Sequence, residues 1–154
     1  MIVLRCAYIG VKYHGFQVQP DVPTIQGFLL EGLRKMGYSG SIGYVSRTDA
    51  GVSAVDQIIY IRESGGDLSR LNDYLPDDIK VYALASLDDF SRGDLIYKEY
   101  VYMAPRFIVD AKKIQMCVNY INGSRHNFIC LVKKPSQVDA NEAIMRIYLT
   151  VEYW

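Results

Sequence analysis

This 154-residue chain has no apolar run long enough to cross a bilayer, which takes about 20 residues as a helix. Its opening, "MIVLRCAYI", has neither a basic leader nor a small-residue cleavage site, so nothing in it suggests export. The three cysteines, Cys6, Cys117 and Cys130, are odd in number, widely spaced and without a C-x-x-C pair. That argues against a disulfide framework or a zinc site and for a reducing cytoplasm. His14 and His126 are the only histidines, and no third ligand signal accompanies either, so no metal site is expected. There is no Walker A motif and no G-x-G-x-x-G. No H-x-E precedes a C-x-x-C, which leaves zinc deamination unsupported. Ser46 and Ser53 lack the G-x-S-x-G frame of a serine hydrolase. Charge of one sign is also missing: 17 basic residues face 17 acidic ones. Nucleic-acid binders usually carry a basic excess to displace counterions, so the count weighs against such a partner, although a neutral chain can still hold a basic face.

What is present is apolar surface and tyrosine. Half of the residues are hydrophobic, enough for a core in one ordinary domain or two small ones sharing it. The thirteen tyrosines suit strands, and they also suit stacking on unpaired bases. "MIVLRCAYIG" alternates Ile2, Leu4, Cys6 and Tyr8 against Val3, Arg5, Ala7 and Ile9, which predicts a strand. After a loop rich in turn residues, Thr24 caps a predicted helix with Ile25, Phe28, Leu29, Leu33 and Met36 on one stripe and Gly37 at its exit. "SIGYV" and "AVDQIIYIRE" predict two more strands. "DLSRLNDYLP" predicts a short helix from Asp67 to the stop before Pro76, and "DIKVYALASL" a fourth strand. The order β-α-β-β-α-β is the ferredoxin-like arrangement, an α+β fold with an antiparallel sheet and helices packed on one face.

A second run begins near Asp94. "DLIYKEYVYMA" predicts a long strand carrying Tyr97, Tyr100 and Tyr102. A helix follows, capped by Asp110, apolar at Ile114, Cys117, Val118 and Ile121, and ended near Gly123. "HNFICLV" and "AIMRIYLTVEYW" predict two strands, after which the β-α-β-β pattern stops. Two ferredoxin-like units are therefore expected, residues 1–90 and an incomplete 91–154. The apolar end "VEYW" suggests either a truncated polypeptide or a partner that completes the sheet.

Chemistry concentrates in "GYVSRTDAGVSAVDQ", Gly43 to Gln57. In an extended stretch, side chains two apart point the same way, so Arg47 and Asp49 face together with Thr48 turned away. A neighbouring guanidinium keeps such a carboxyl ionised, which suits an anionic nucleophile or charge stabiliser better than a general acid. Gly51 permits the positive φ of a tight exit. A surface Arg–Asp pair in a turn, worth little energetically, explains the same spacing.

The segment "SRTDAGVSA" resembles the G-R-T-D-A-G-V-H-A signature of the TruA family of tRNA pseudouridine synthases. "YIGVKYHGFQVQ" resembles the family's Y-D-G-x-x-Y-x-G-W-Q-x-Q, with Tyr8, Gly10, Tyr13, Gly15, Gln17 and Gln19 in place. "TIQGFLLEGL", "LNDYLPDDIKV", "FSRGDLIYKEYVY" and "GSRHNFICL" resemble its later motifs, in order. Ser46, Ser53, Ile9 and Phe16 depart from the family's glycine, histidine, aspartate and tryptophan. The family continues with a strand and an F-x-x-x-M-V-R helix whose arginine contacts the catalytic aspartate; this chain has no match to it.

The resemblance implies that Asp49 is the catalytic aspartate, that Arg47 helps draw out the target uridine, that Tyr100 stacks on the flipped uracil, and that Arg92 supports the site or the RNA backbone. It implies an intramolecular isomerase needing no cofactor, acting on tRNA in the anticodon stem-loop as a cytoplasmic homodimer without a membrane or metal partner. Two rivals remain: a shortened synthase fold that binds structured RNA without catalysis, and a ferredoxin-like small-molecule sensor or assembly component.

Overall fold

The computed structural model describes residues 1–62, 67–105, 107, 110–131 and 144–146. Two compact units divide the chain, Met1–Lys98 and Glu99–Trp154. The first contains strand β1 (Ile2–Tyr8), helix α1 (Ile25–Lys35), and strands β2 (Ile42–Tyr44), β3 (Ala54–Ile61) and β4 (Ile79–Ser86). Its sheet runs β2-β3-β1-β4, every pairing antiparallel. With the helical turn Leu68–Tyr74 between β3 and β4, this is the ferredoxin-like arrangement expected from the element order.

Period-two alternation decides which face is buried. Leu4, Cys6 and Tyr8 of β1 lie in the core with Ile59 and Ile61 of β3 and Ile79 of β4. Helix α1 covers that face with Ile25, Leu29 and Leu33, each fully buried and worth about 1.5–3 kcal/mol of transfer free energy. Thr24 caps α1 as expected, its hydroxyl accepting from Gly27 N at 3.3 Å, and Gly37 leaves the helix at φ 86°. The Leu68–Tyr74 helix is capped by Asp67, as its sequence implied, and it is wound as 3₁₀ rather than α. Leu71 and Leu75 anchor it beneath α1, where Gly32 leaves room for both.

In the second unit, helix α2 (Ala111–Ile121) starts at Asp110, whose carboxylate accepts from Lys112 N and Lys113 N, and Gly123 follows it at φ 70°. Strand β5 (Arg125–Asn127) pairs with β6 (Ile144–Arg146). One expectation needs correction here. Residues 95–105 form no strand, because no neighbouring strand completes their hydrogen bonds among the described residues; Ile96, Tyr97, Val101, Tyr102 and Met103 are all exposed. The strand expected over "HNFICLV" shortens to β5 and a 3₁₀ turn Ile129–Leu131. Of the final predicted strand, everything beyond residue 146, including "VEYW", lies outside the described residues.

Candidate active site

Two segments of the first unit meet at one end of the sheet: residues 9–19, leaving β1, and residues 45–53, joining β2 to β3. Glycine makes their contact close. A Cβ on Gly10 would sit 1.9 Å from Val52 O, and one on Gly15, whose φ is 91°, would sit 2.9 Å from Thr48 O. Only a residue without a side chain fits either place. Backbone hydrogen bonds then join the segments, Phe16 N to Thr48 O at 3.0 Å and Gly51 N to Tyr13 O at 3.1 Å.

Side chains reinforce the join from the core side. Tyr8 OH shares a 2.8 Å hydrogen bond with Thr48 Oγ1, and burial pushes the Tyr8 phenol up to about 12, so it stays protonated. Gly10 N donates to Ser53 Oγ at 3.0 Å. Gln57, buried on β3, donates to Ser46 O and so satisfies a polar group the core would otherwise penalise. Phe16 is fully buried against Tyr44, ring centroids 4.9 Å apart, which fixes the outer segment to the core. Tyr13 OH donates to Asp78, and Lys12 lies 3.6 Å from the same carboxylate; both hold that carboxyl below its ordinary range.

Asp49 sits where this framework ends. Its carbonyl accepts from Val52 N at 3.2 Å, closing a turn in which Gly51 takes φ 80°, as the third position of a type II turn requires. Thr48 is half-buried between exposed Arg47 and exposed Asp49, the alternation expected of an extended stretch. The two charged residues line a cleft of about 200 Å³ with His14, Phe16, Gln17, Gln19, Thr48 and Ala50. They do not form the ion pair expected of them: among the described residues neither side chain makes a salt bridge or hydrogen bond. The pair would gain little at an exposed site, and its absence leaves both groups available to a ligand.

The other two candidates stand elsewhere in the chain. Arg92 opens the 3₁₀ turn Arg92–Asp94. Tyr100 belongs to the second unit, 74% exposed on the strandless segment. Sequence reasoning weighed His14 only as a metal ligand and so missed it as a lining residue. The signal was present in "YHGFQVQ", where Gly15 breaks the chain beside it and Gln17 and Gln19 keep the polar alternation. Among the described residues, no group of His, Cys, Asp or Glu could hold a metal ion, and no helix is long and apolar enough to cross a membrane.

An α+β chain with a ferredoxin-like unit, presenting on the loop between β2 and β3 a carboxylate and a guanidinium that are unpaired among the described residues, is thus defined by its own geometry. Comparison with known proteins adds the kinship. The chain is 44% identical over 106 residues to tRNA pseudouridine synthase A of Methanopyrus kandleri, covering 66% of this chain and 41% of that protein. It is 33% identical over 138 residues to the protein of the same name from Methanobrevibacter smithii, covering 85% and 47%. To that of Pyrococcus horikoshii it is 32% identical over 151 residues, covering 95% and 56%. The chain therefore spans about half the length of the curated relatives it matches. No protein-family model matches it. The motif resemblance is borne out: this is a TruA-like chain, related to tRNA pseudouridine synthase A.

Proposed function

We propose that the protein isomerises uridine to pseudouridine in tRNA, within the anticodon stem-loop, with Asp49 as its catalytic carboxylate. The observation that carries this reading is an exposed Asp49, without an ion-pair partner among the described residues, on a rigidly backed turn in the wall of a cleft. The names borne by the relatives supply the substrate and the reaction.

The chemistry asks for little more. The uracil N1–C1′ bond breaks, a C5–C1′ bond forms, the C5 proton leaves to water and N1 regains one. Nothing is oxidised and no group is added, so no cofactor or metal enters. The protein must supply an anion beside the sugar or base, a slot for the extruded base and protection from water. Asp49 provides the anion. Arg47, beside it in the cleft, draws the nucleotide out and holds its backbone, and Tyr100 stacks on the everted uracil. Arg92 supports the site or the RNA backbone. Residues 1–90 act as the unit carrying the catalytic loop and 91–154 as part of a second unit of the same catalytic domain. The working form is a homodimer in the cytoplasm, in keeping with free Cys6, Cys117 and Cys130.

Nucleoside analysis tests the reading. An unmodified tRNA transcript incubated with the protein, then digested to nucleosides, is expected to yield pseudouridine chromatographically separate from uridine. A transcript with its anticodon-arm uridines replaced is expected to yield none. Tight, salt-dependent binding without any pseudouridine would instead select an RNA-binding module that does not catalyse.

A further inference from the structure

We propose that the imidazole of His14 is a second RNA contact in the Asp49 cleft, holding a backbone phosphate beside the everted nucleotide and making RNA binding depend on pH. The inference rests on the tRNA substrate proposed above, and it adds a residue and a regulation to that site.

His14 shares the cleft wall with Arg47 and Asp49. Its backbone is fixed on both sides, its N–H donating to Pro23 O at 2.9 Å and its carbonyl accepting from Gln19 Nε2 at 2.7 Å. The following residue, Gly15, presses against the backbone of Thr48, Asp49 and Ala50. The His14 backbone therefore holds its place relative to the turn that carries Asp49. His14 is exposed and its side chain makes no hydrogen bond, ion pair or ring contact among the described residues, so its ring nitrogens are available to a ligand in the cleft.

The charged groups lining the cleft beside it are Arg47 and Asp49, both from the β2–β3 segment. On its own segment, Lys12 is engaged with Asp78. Arg47 (+1) and Asp49 (−1) sum to zero, so a neutral imidazole leaves the cleft without net charge and a protonated one makes it cationic. Histidine is the side chain whose charge ordinarily changes between about pH 5 and 8. An RNA phosphate is bound by Coulomb attraction and by donated N–H groups, and imidazolium offers both.

The test uses the full chain and an unmodified tRNA transcript, with Kd read by fluorescence anisotropy at about pH 5.5 and about pH 8, at constant ionic strength. The wild type is expected to bind about three- to fivefold more tightly at the lower pH, the scale of one exposed charge contact. His14→Gln is expected to bind weakly at both pH values, and His14→Lys tightly at both. His126→Gln should keep the wild-type response. A pH response retained in His14→Gln overturns the proposal, as does a His14→Lys variant that binds no better than His14→Gln. Absence of tRNA binding by every variant at low salt overturns the tRNA reading and this inference with it. Failure of Asp49 as the catalyst would leave these binding curves unchanged, so the two claims fail separately.

Discussion

Asp49 is exposed and makes no salt bridge or hydrogen bond through its side chain among the described residues, so its value to the protein lies outside stability. Asp49→Asn is expected to shift unfolding free energy by no more than about 0.5 kcal/mol in a denaturant titration, while removing turnover. Gly15→Ala should differ by lowering stability as well. It asks an L-residue to adopt φ 91° and crowds Thr48 O, costing about 1–2 kcal/mol and displacing the Asp49 backbone. Melting temperature and turnover should therefore fall together in that variant. At this scale the sequence was informative about exposure: Arg47 and Asp49 are exposed and line one cleft, with half-buried Thr48 between them. It did not tell that the two would stand unpaired, because an exposed ion pair is set by fractions of a kcal/mol that no pattern encodes. Nor did it single out the role of Gln57, whose hydrogen bond to Ser46 O depends on a strand register invisible from one segment.

Among the elements, α1 and the two loops at its start form one construction. Ile25 N donates to Gly15 O at 3.2 Å and Gln26 N to Phe16 O at 2.8 Å, so the first free N–H groups of the helix tie down the cleft segment. Thr24→Ala should cost about 1 kcal/mol through loss of the cap. Phe16→Ala should cost about 3–5 kcal/mol, because a fully buried ring leaves a cavity beneath the same segment. Calorimetry distinguishes the two by the size of the shift. The elements whose apolar period is clear, β1, α1, β3 and β4, were legible because alternation or a helical stripe reports which face is buried. Residues 95–105 carry the same alternation and form no strand. Alternation states what a strand would bury, and a strand exists only when a partner accepts its hydrogen bonds. The 3₁₀ winding of Leu68–Tyr74 was equally hidden, since Asp67 and Pro76 bound a helix of either kind.

The molecule as a whole should be most stable between two titration limbs. Asp56, held down first by the Arg5 guanidinium, Asp67 by the Ser69 hydrogen bond and Asp78 by Tyr13, all lie below the ordinary 3.8 in the folded state. Their contribution is complete above that value and is lost as pH falls further, because the unfolded chain takes up protons first. Burial raises the Cys6 thiol from 9.0 to about 12 and the Tyr8 phenol from 10.0 to about 12. Their contribution is complete below about pH 9 and is lost between there and about pH 12, because the unfolded chain ionises first. Denaturant midpoints measured across pH should show both limbs, and Cys6→Ala should weaken the alkaline one. A curve without the alkaline decline would mean that Cys6 and Tyr8 are not buried as described.

The central claim concerns one carboxylate, and tritium release tests it most directly. A tRNA tritiated at uracil C5 loses its label to water as C5 becomes bonded to the sugar. Wild-type protein is expected to release tritium over time, and Asp49→Asn, folded and able to bind tRNA, to release none above background. Equal release by the two proteins would contradict the account.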